Sequence, residues 1–95
     1  AATTIFKFRL YVAGDAPNSE QAREHLRALC REYLQDRHEI EIIDVFRHPQ
    51  RALVDRIFMT PTLVKLAPLP GRRIVGTLGD RHAVLLALGL GPLRP

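Results

Sequence analysis

"FMTPTLVKLAPLPGRR", residues 58–73, decides how the second half of the chain is read. Thr62 to Leu66 is a short run with strand character, and Pro61 stands at its start. Pro68-Leu69-Pro70-Gly71 then forms a turn, and Arg73–Leu78 supplies a further strand.

On the N-terminal side of this stretch, "PQRALVDRIF" begins with a proline suited to the first turn of a short helix. Leu53, Ile57 and Val54 are expected to face the core from it. Further upstream, "TIFKFRLYVA" (4–13) alternates with period two. Phe6, Phe8, Leu10 and Val12 take one face, Lys7 and Arg9 the other. "GDAPNSE" is a turn, with Asn18 or Ser19 as helix cap. From Glu20 to about Gln35, one helical stripe collects Ala22, Leu26, Leu29, Cys30 and Tyr33. "EIEIIDVF" (39–46) is a second strand, so strand, helix and strand form a βαβ unit with parallel strands. On the C-terminal side, Asp80 caps a helix in "RHAVLLALGLG", where Val84, Leu85 and Leu88 share a face. The same apolar run also fits a buried strand. The tail "GPLRP" (91–95) is expected to fray.

The resulting order, β-α-β-α-β-β-α, is that of a thioredoxin-like α/β fold, in which the proline at the position of Pro61 is characteristically cis. A redox member would carry thiols at the start of the first helix. Here Asp15-Ala16-Pro17-Asn18-Ser19 occupies that place, and Cys30 is the chain's single cysteine. Cys30 falls on the apolar stripe and is read as an inert buried thiol. His25, His38, His48 and His82 show no spacing that converges on a metal. Ser19 has no nucleophile motif around it, and Glu39 and Glu41 alternate on a strand face rather than forming an acid–base couple. No enzymatic activity, metal or cofactor is expected.

At 95 residues there is room for a single domain, and the longest apolar run, Val84 to Leu90, is far too short for a membrane span. A cytoplasmic protein is expected. Charge is uneven: residues 1–48 sum to −1 and residues 49–95 to +5. The arginines of the basic half are scattered and lack an aromatic platform, so a solvated or protein-binding face is expected rather than nucleic-acid binding.

"LYVAGDAPNSEQA", "EIIDVFRHPQ", "TPTLVKLAPLPGRRIVGTLGDR" and "VLLALGL", in this order and spacing, resemble the KaiB family of circadian-clock proteins. The resemblance runs from about residue 8 to residue 90. It implies a non-enzymatic regulator that binds the N-terminal ring of a hexameric KaiC-type ATPase and modulates its phosphorylation cycle. It also implies sequestration of KaiA and displacement of a sensor histidine kinase, where the host has them. Self-association to a dimer or tetramer is implied as well. So is metamorphism: residues 1–48 form a constant βαβ half, while residues 49–90 adopt either the thioredoxin-like arrangement or a βαββααβ ground state. Pro61, Pro68 and Pro70, with Ala87 and Gly89, are the implied seam of the fold switch.

The chain departs from the family pattern in three places. Ala87 and Gly89 stand where cyanobacterial relatives carry glycine and aspartate, and alanine in a helix interior favours helix by about 1 kcal/mol. Glu41 stands in place of a lysine in the partner-binding region, and the tail is not acidic. The excess of arginine over lysine suggests a GC-rich, non-cyanobacterial genome. Arg23, Arg27, Glu39 and Glu41 are the expected partner-binding residues. Alternatives are a KaiB-like input domain of a sensor histidine kinase, a stand-alone stress-adaptation protein and, more distantly, a thioredoxin-like oxidoreductase.

Overall fold

The side chains of Phe6, Phe8, Leu10 and Val12 all lie buried on one face of the first strand, and that face organises the molecule. In the computed structural model, which describes residues 4–90, the elements are β1 (Phe6–Val12), α1 (Pro17–Tyr33) and β2 (His38–Asp44) in the first half. α2 (Pro49–Val54), β3 (Thr62–Ala67), β4 (Arg72–Val75) and α3 (Arg81–Ala87) follow in the second. The strands form one sheet in the order β2-β1-β3-β4. β1 runs parallel to β2 and antiparallel to β3, and β4 pairs antiparallel with β3. This is the expected thioredoxin-like arrangement; the expected frayed tail lies outside the described residues.

The two faces of the sheet are unequal. On one, β1 packs with Ala22, Leu26, Leu29 and Cys30 of α1 and with Val84 and Leu85 of α3. Leu10, Leu26 and Leu63 are essentially inaccessible there, and each contributes about 1.5–3 kcal/mol relative to an exposed position. On the other face the buried cluster is only Tyr11, Ile43 and Ala52, with Val45, Ile57 and Val64 packed against it. Tyr11 sits between Leu10 and Val12 in sequence, so the centre of β1 is covered on both sides.

The sequence reading needs correction at four places. α1 begins at Pro17, with Ala16 as the capping position, so Asn18 and Ser19 already lie in its first turn. Proline is pre-organised for that first helical position, and this moves the boundary upstream. Ser19 is buried instead, its Oγ accepting the Ala13 amide at 3.0 Å. Tyr33 is half exposed, with the Arg81 guanidinium 5.9 Å from its ring.

α2 stops at Val54, and Leu53 and Val54 project into solvent, at 72% and 80% exposure; Ala52 is its buried residue and only Ile57 packs inward as expected. Arg56, at φ 57°, ends the helix. The Arg56 amide donates to Leu53 O and the Ile57 amide to Ala52 O, the paired bonds of a Schellman cap. β4 stops at Val75 rather than Leu78, because Gly76 at φ 119° turns the chain away.

The helical reading of "AVLLALGL" is the one the structure adopts. Asp80 Oδ1 accepts the Ala83 amide at 3.1 Å, and α3 ends in a second Schellman cap with Gly89 at φ 80°. The Thr60–Pro61, Ala67–Pro68 and Leu69–Pro70 bonds are cis. Lys65 is the unusual core residue: it is 5% exposed, donates from Nζ to Leu88 O at 3.3 Å and lies 5.7 Å from the Phe6 ring centre. Burial, together with the charge of Arg72, holds its ammonium below the ordinary lysine value.

Candidate functional site

At the start of α1 the chain presents Asp15, Ala16 and Pro17, none of which can act as a thiolate nucleophile. Cys30 is completely buried, and that burial pushes its thiol up to about 11, the signature of an unreactive sulfur. Two histidines serve the backbone: His25 Nδ1 lies 2.6 Å from Thr77 O, and His38 Nδ1 lies 2.8 Å from Leu34 O. Among the described residues no group of three His, Cys, Asp or Glu side chains is placed to hold a metal ion. No helix there is long and apolar enough to cross a membrane.

The polar groups that do converge lie on the α2 side of the sheet. Arg9 of β1 donates from Nε to Glu41 at 3.1 Å and from Nη1 to Asp55 at 2.9 Å. Tyr11 Oη donates to the same Asp55 oxygen, and Arg51 Nη1 donates to Glu41 at 2.8 Å. The Tyr11 and Arg9 bonds hold the Asp55 carboxyl below the ordinary value despite partial burial. Tyr11 is raised, first by burial and then by the neighbouring carboxylate. Glu41 is lowered by its bonds to Arg51 and Arg9. Arg9, Tyr11, Arg51 and Asp55 line an open depression of roughly 380 Å³ together with Gln50 and Val54. Every charge in it already has an opposite partner, so it is a tie between elements rather than a vacant ligand site.

The four expected partner-binding residues do not form one patch. Arg23 and Arg27 project from α1 on one side of the sheet, while Glu39 and Glu41 face the α2 side. Arg23 is half-buried, paired with Glu20 at 2.9 Å and bonded to Gly14 O at 3.2 Å. Glu41 is engaged by Arg9 and Arg51. Arg27 and Glu39 are exposed. Of the seam residues, Pro61 is buried at the entry to β3, Pro68 and Pro70 shape the β3–β4 turn, and Ala87 and Gly89 end α3.

A feature the sequence reading missed lies beside Pro61. Phe58 is 85% exposed, Met59 61% and Phe46 75%. Phe58 and Met59 form a ridge between two shallow depressions of roughly 220 and 210 Å³, one bounded by Phe46 and Ile57, the other by Val75, Arg56 and Arg73. An apolar ridge with an arginine rim is the composition of a protein-binding surface. The legible signal was a pair of large apolar residues stranded between a helix end and a proline, with no periodicity to bury them.

The profile of the KaiB domain family matches residues 9–90. This chain belongs to the KaiB family. It is 46% identical over 82 residues to the circadian clock oscillator protein KaiB of Synechococcus elongatus, covering 86% of this chain and 80% of the relative. It is 43% identical over 90 residues to that of Prochlorococcus marinus, covering 95% and 86%. Among solved structures, the N-terminal domain of Synechococcus elongatus SasA matches with a TM-score of 0.74 and 24% identity, over 90% of this chain and 83% of that domain. Chloroplastic thioredoxin z matches at 0.76 and 19% identity, over 90% and 78%. These structural likenesses establish the thioredoxin-like fold of this KaiB-family chain; the family itself rests on the sequence match.

Proposed function

We propose that this KaiB-family chain is a non-enzymatic, cytoplasmic clock or timer regulator that docks on a KaiC-type hexameric ATPase and modulates its phosphorylation cycle. The observation that carries the reading is a thioredoxin-like scaffold that has lost its reactive thiols and exposes an apolar ridge, Phe58–Met59, beside the retained Pro61. A redox enzyme needs an accessible low-pKa thiol there, whereas a docking module needs the scaffold and a surface.

In this reading the docking face is the ridge with its Arg56 and Arg73 rim, and the exposed Arg27 and Glu39 are peripheral contacts. Glu41 and Arg23 act within the molecule, so the charge reversal at Glu41 alters internal packing more than partner choice. Residues 49–90 carry the ridge, and the family's alternative arrangement of that half would remove it from its present setting. The thioredoxin-like arrangement is therefore the binding-competent one.

Size-exclusion chromatography of the protein with the host's KaiC homologue, with ATP and with ADP, tests the proposal. Co-elution in at least one nucleotide state is expected, and Phe58→Asp should abolish it while leaving the circular dichroism spectrum and melting temperature unchanged. No complex in either nucleotide state would remove the proposal.

A further inference from the structure

α2 is six residues long and buries one side chain, Ala52. A helix of that length has no stability of its own and depends on what holds it. Its C-terminal turn is also conformationally unfavourable, because Arg56 adopts φ 57°, a region that side chains other than glycine disfavour. Yet polar ties from two strands converge on this turn. From β1, Tyr11 Oη and Arg9 Nη1 both donate to the Asp55 carboxylate, the latter at 2.9 Å. From β4, Arg73 donates from Nη2 to Asp55 O and from Nη1 to Arg56 O at 3.2 Å.

The two strands belong to different halves of the chain. Arg9 and Tyr11 lie in the βαβ half, while Asp55 and Arg73 lie beyond residue 48. The network therefore crosses the boundary at which the second half joins the first. Phe58 and Met59 follow the turn directly, so its position sets theirs.

We propose that Arg9, Tyr11 and Arg73 form a latch on the Asp55–Ile57 turn, which holds the Phe58–Met59 ridge in its docking position and opens locally when the latch is broken. The functional consequence rests on the reading that the ridge docks a partner, but the latch itself does not. The surrounding charges are Glu41 of β2, which steadies Arg9, and Arg51 of α2, which steadies Glu41. Opening the latch would unpack only the small cluster in which Ala52 and Ile57 meet Tyr11 and Ile43, and would leave the larger core on the other face of the sheet intact. The polar contacts add to that small cluster, and together they decide whether the ridge is in place.

Amide hydrogen exchange on the whole chain, read by NMR, tests this in the parent, Asp55→Asn, Arg73→Gln and a control, Glu32→Gln, which breaks the distant Arg81–Glu32 pair. Loss of charge-assisted bonds should speed exchange of the Arg56 and Ile57 amides about tenfold or more in both latch variants, and these amides should exchange at least about tenfold faster than Leu10 and Leu26, which report global unfolding. The control should leave the Arg56 and Ile57 amides unchanged. Unchanged exchange at Ile57 in both latch variants overturns the proposal. So does exchange of Ile57 at the same protection as Leu26 in the parent and both variants, because that signature belongs to global unfolding. If Asp55→Asn fails to fold, Arg73→Gln is judged by the same two criteria. A second arm measures co-elution of the variants with the KaiC homologue, where weaker binding by the locally opened variants is expected. Failure of the parent to bind removes the docking reading, while the exchange data still decide the latch.

Discussion

Replacing Gly89 by alanine isolates the energy of one backbone conformation. Gly89 sits at φ 80°, just past the end of α3, and a methyl group built on its Cα meets nothing within 4 Å. No steric clash enters, so the change acts through the backbone alone. Holding an alanine in the left-handed region costs about 1–2 kcal/mol. The alternative is to leave that region. This would break the bond from the Gly89 amide to Leu86 O at 3.1 Å and that from the Leu90 amide to Leu85 O at 2.7 Å. It would also withdraw Leu90 from the core it packs against. Whichever route is cheaper, Gly89→Ala should lose about 1–2 kcal/mol, or roughly 4–8 °C in melting temperature per kcal/mol for a domain of this size. Urea denaturation followed by circular dichroism, with m unchanged, measures it. Gly89→Asn should recover part of the loss because asparagine tolerates this region better. An alanine variant within about 0.5 kcal/mol of the parent, or an asparagine variant as unstable as the alanine one, would refute the reasoning.

Arg56→Gly should stabilise the chain by about 0.5–1 kcal/mol by relieving φ 57° at the end of α2; a loss of stability in the same denaturation assay would contradict this. Asp80→Ala removes the side-chain cap of α3 and should cost about 1 kcal/mol, while Asp80→Ser should cost less. The folded Asp55 carboxyl is held below its ordinary value by Tyr11 and Arg9, so its contribution is present above about pH 4 and lost as pH falls through the folded value. The stability gap between the parent and Asp55→Asn should accordingly close in acid; a gap constant from neutral pH down to about pH 2 argues against it. The Cys30 thiol, raised from 9.0 to about 11 by burial, lends stability that is lost as pH rises across that interval. Cys30→Ala should reduce this alkaline slope, and in the parent an aromatic disulfide reagent at neutral pH should label the thiol only after denaturant is added.

The fold was legible wherever a single periodicity decided it. Phe6, Phe8, Leu10 and Val12 announce a strand, and Ala22, Leu26, Leu29 and Cys30 announce the helix that covers it, because both patterns are local. The errors fell where competing local rules met. Pro17 outweighed Asn18 and Ser19 at the start of α1, and the turn at Arg56 left Leu53 and Val54 without a face to cover. The site was less legible than the fold. Asp55 and Arg9 are 46 positions apart, and no motif at either position foretells their bond. Glu41 was visible as a reversed charge, but its use by Arg9 and Arg51 depends on strand order and on where α2 lands. The exposure of Phe58 and Met59 could be inferred only by noticing that neither neighbouring element had room for them.

The ammonium of Lys65 makes the conformations of β3 and α3 conditional on each other. Leu88 is where α3 ends, and its carbonyl is the acceptor the structure gives this buried nitrogen. Unwind the last turn of α3, or slide β3 by one residue, and a cation is stranded beside Phe6 without a partner, a loss of about 1–3 kcal/mol or more. A purely apolar residue at position 65 would tolerate many arrangements of residues 81–88 with little discrimination. A lysine rejects the arrangements that leave it unanswered. The boundary of the final helix is thus checked from within the core by a residue of another strand.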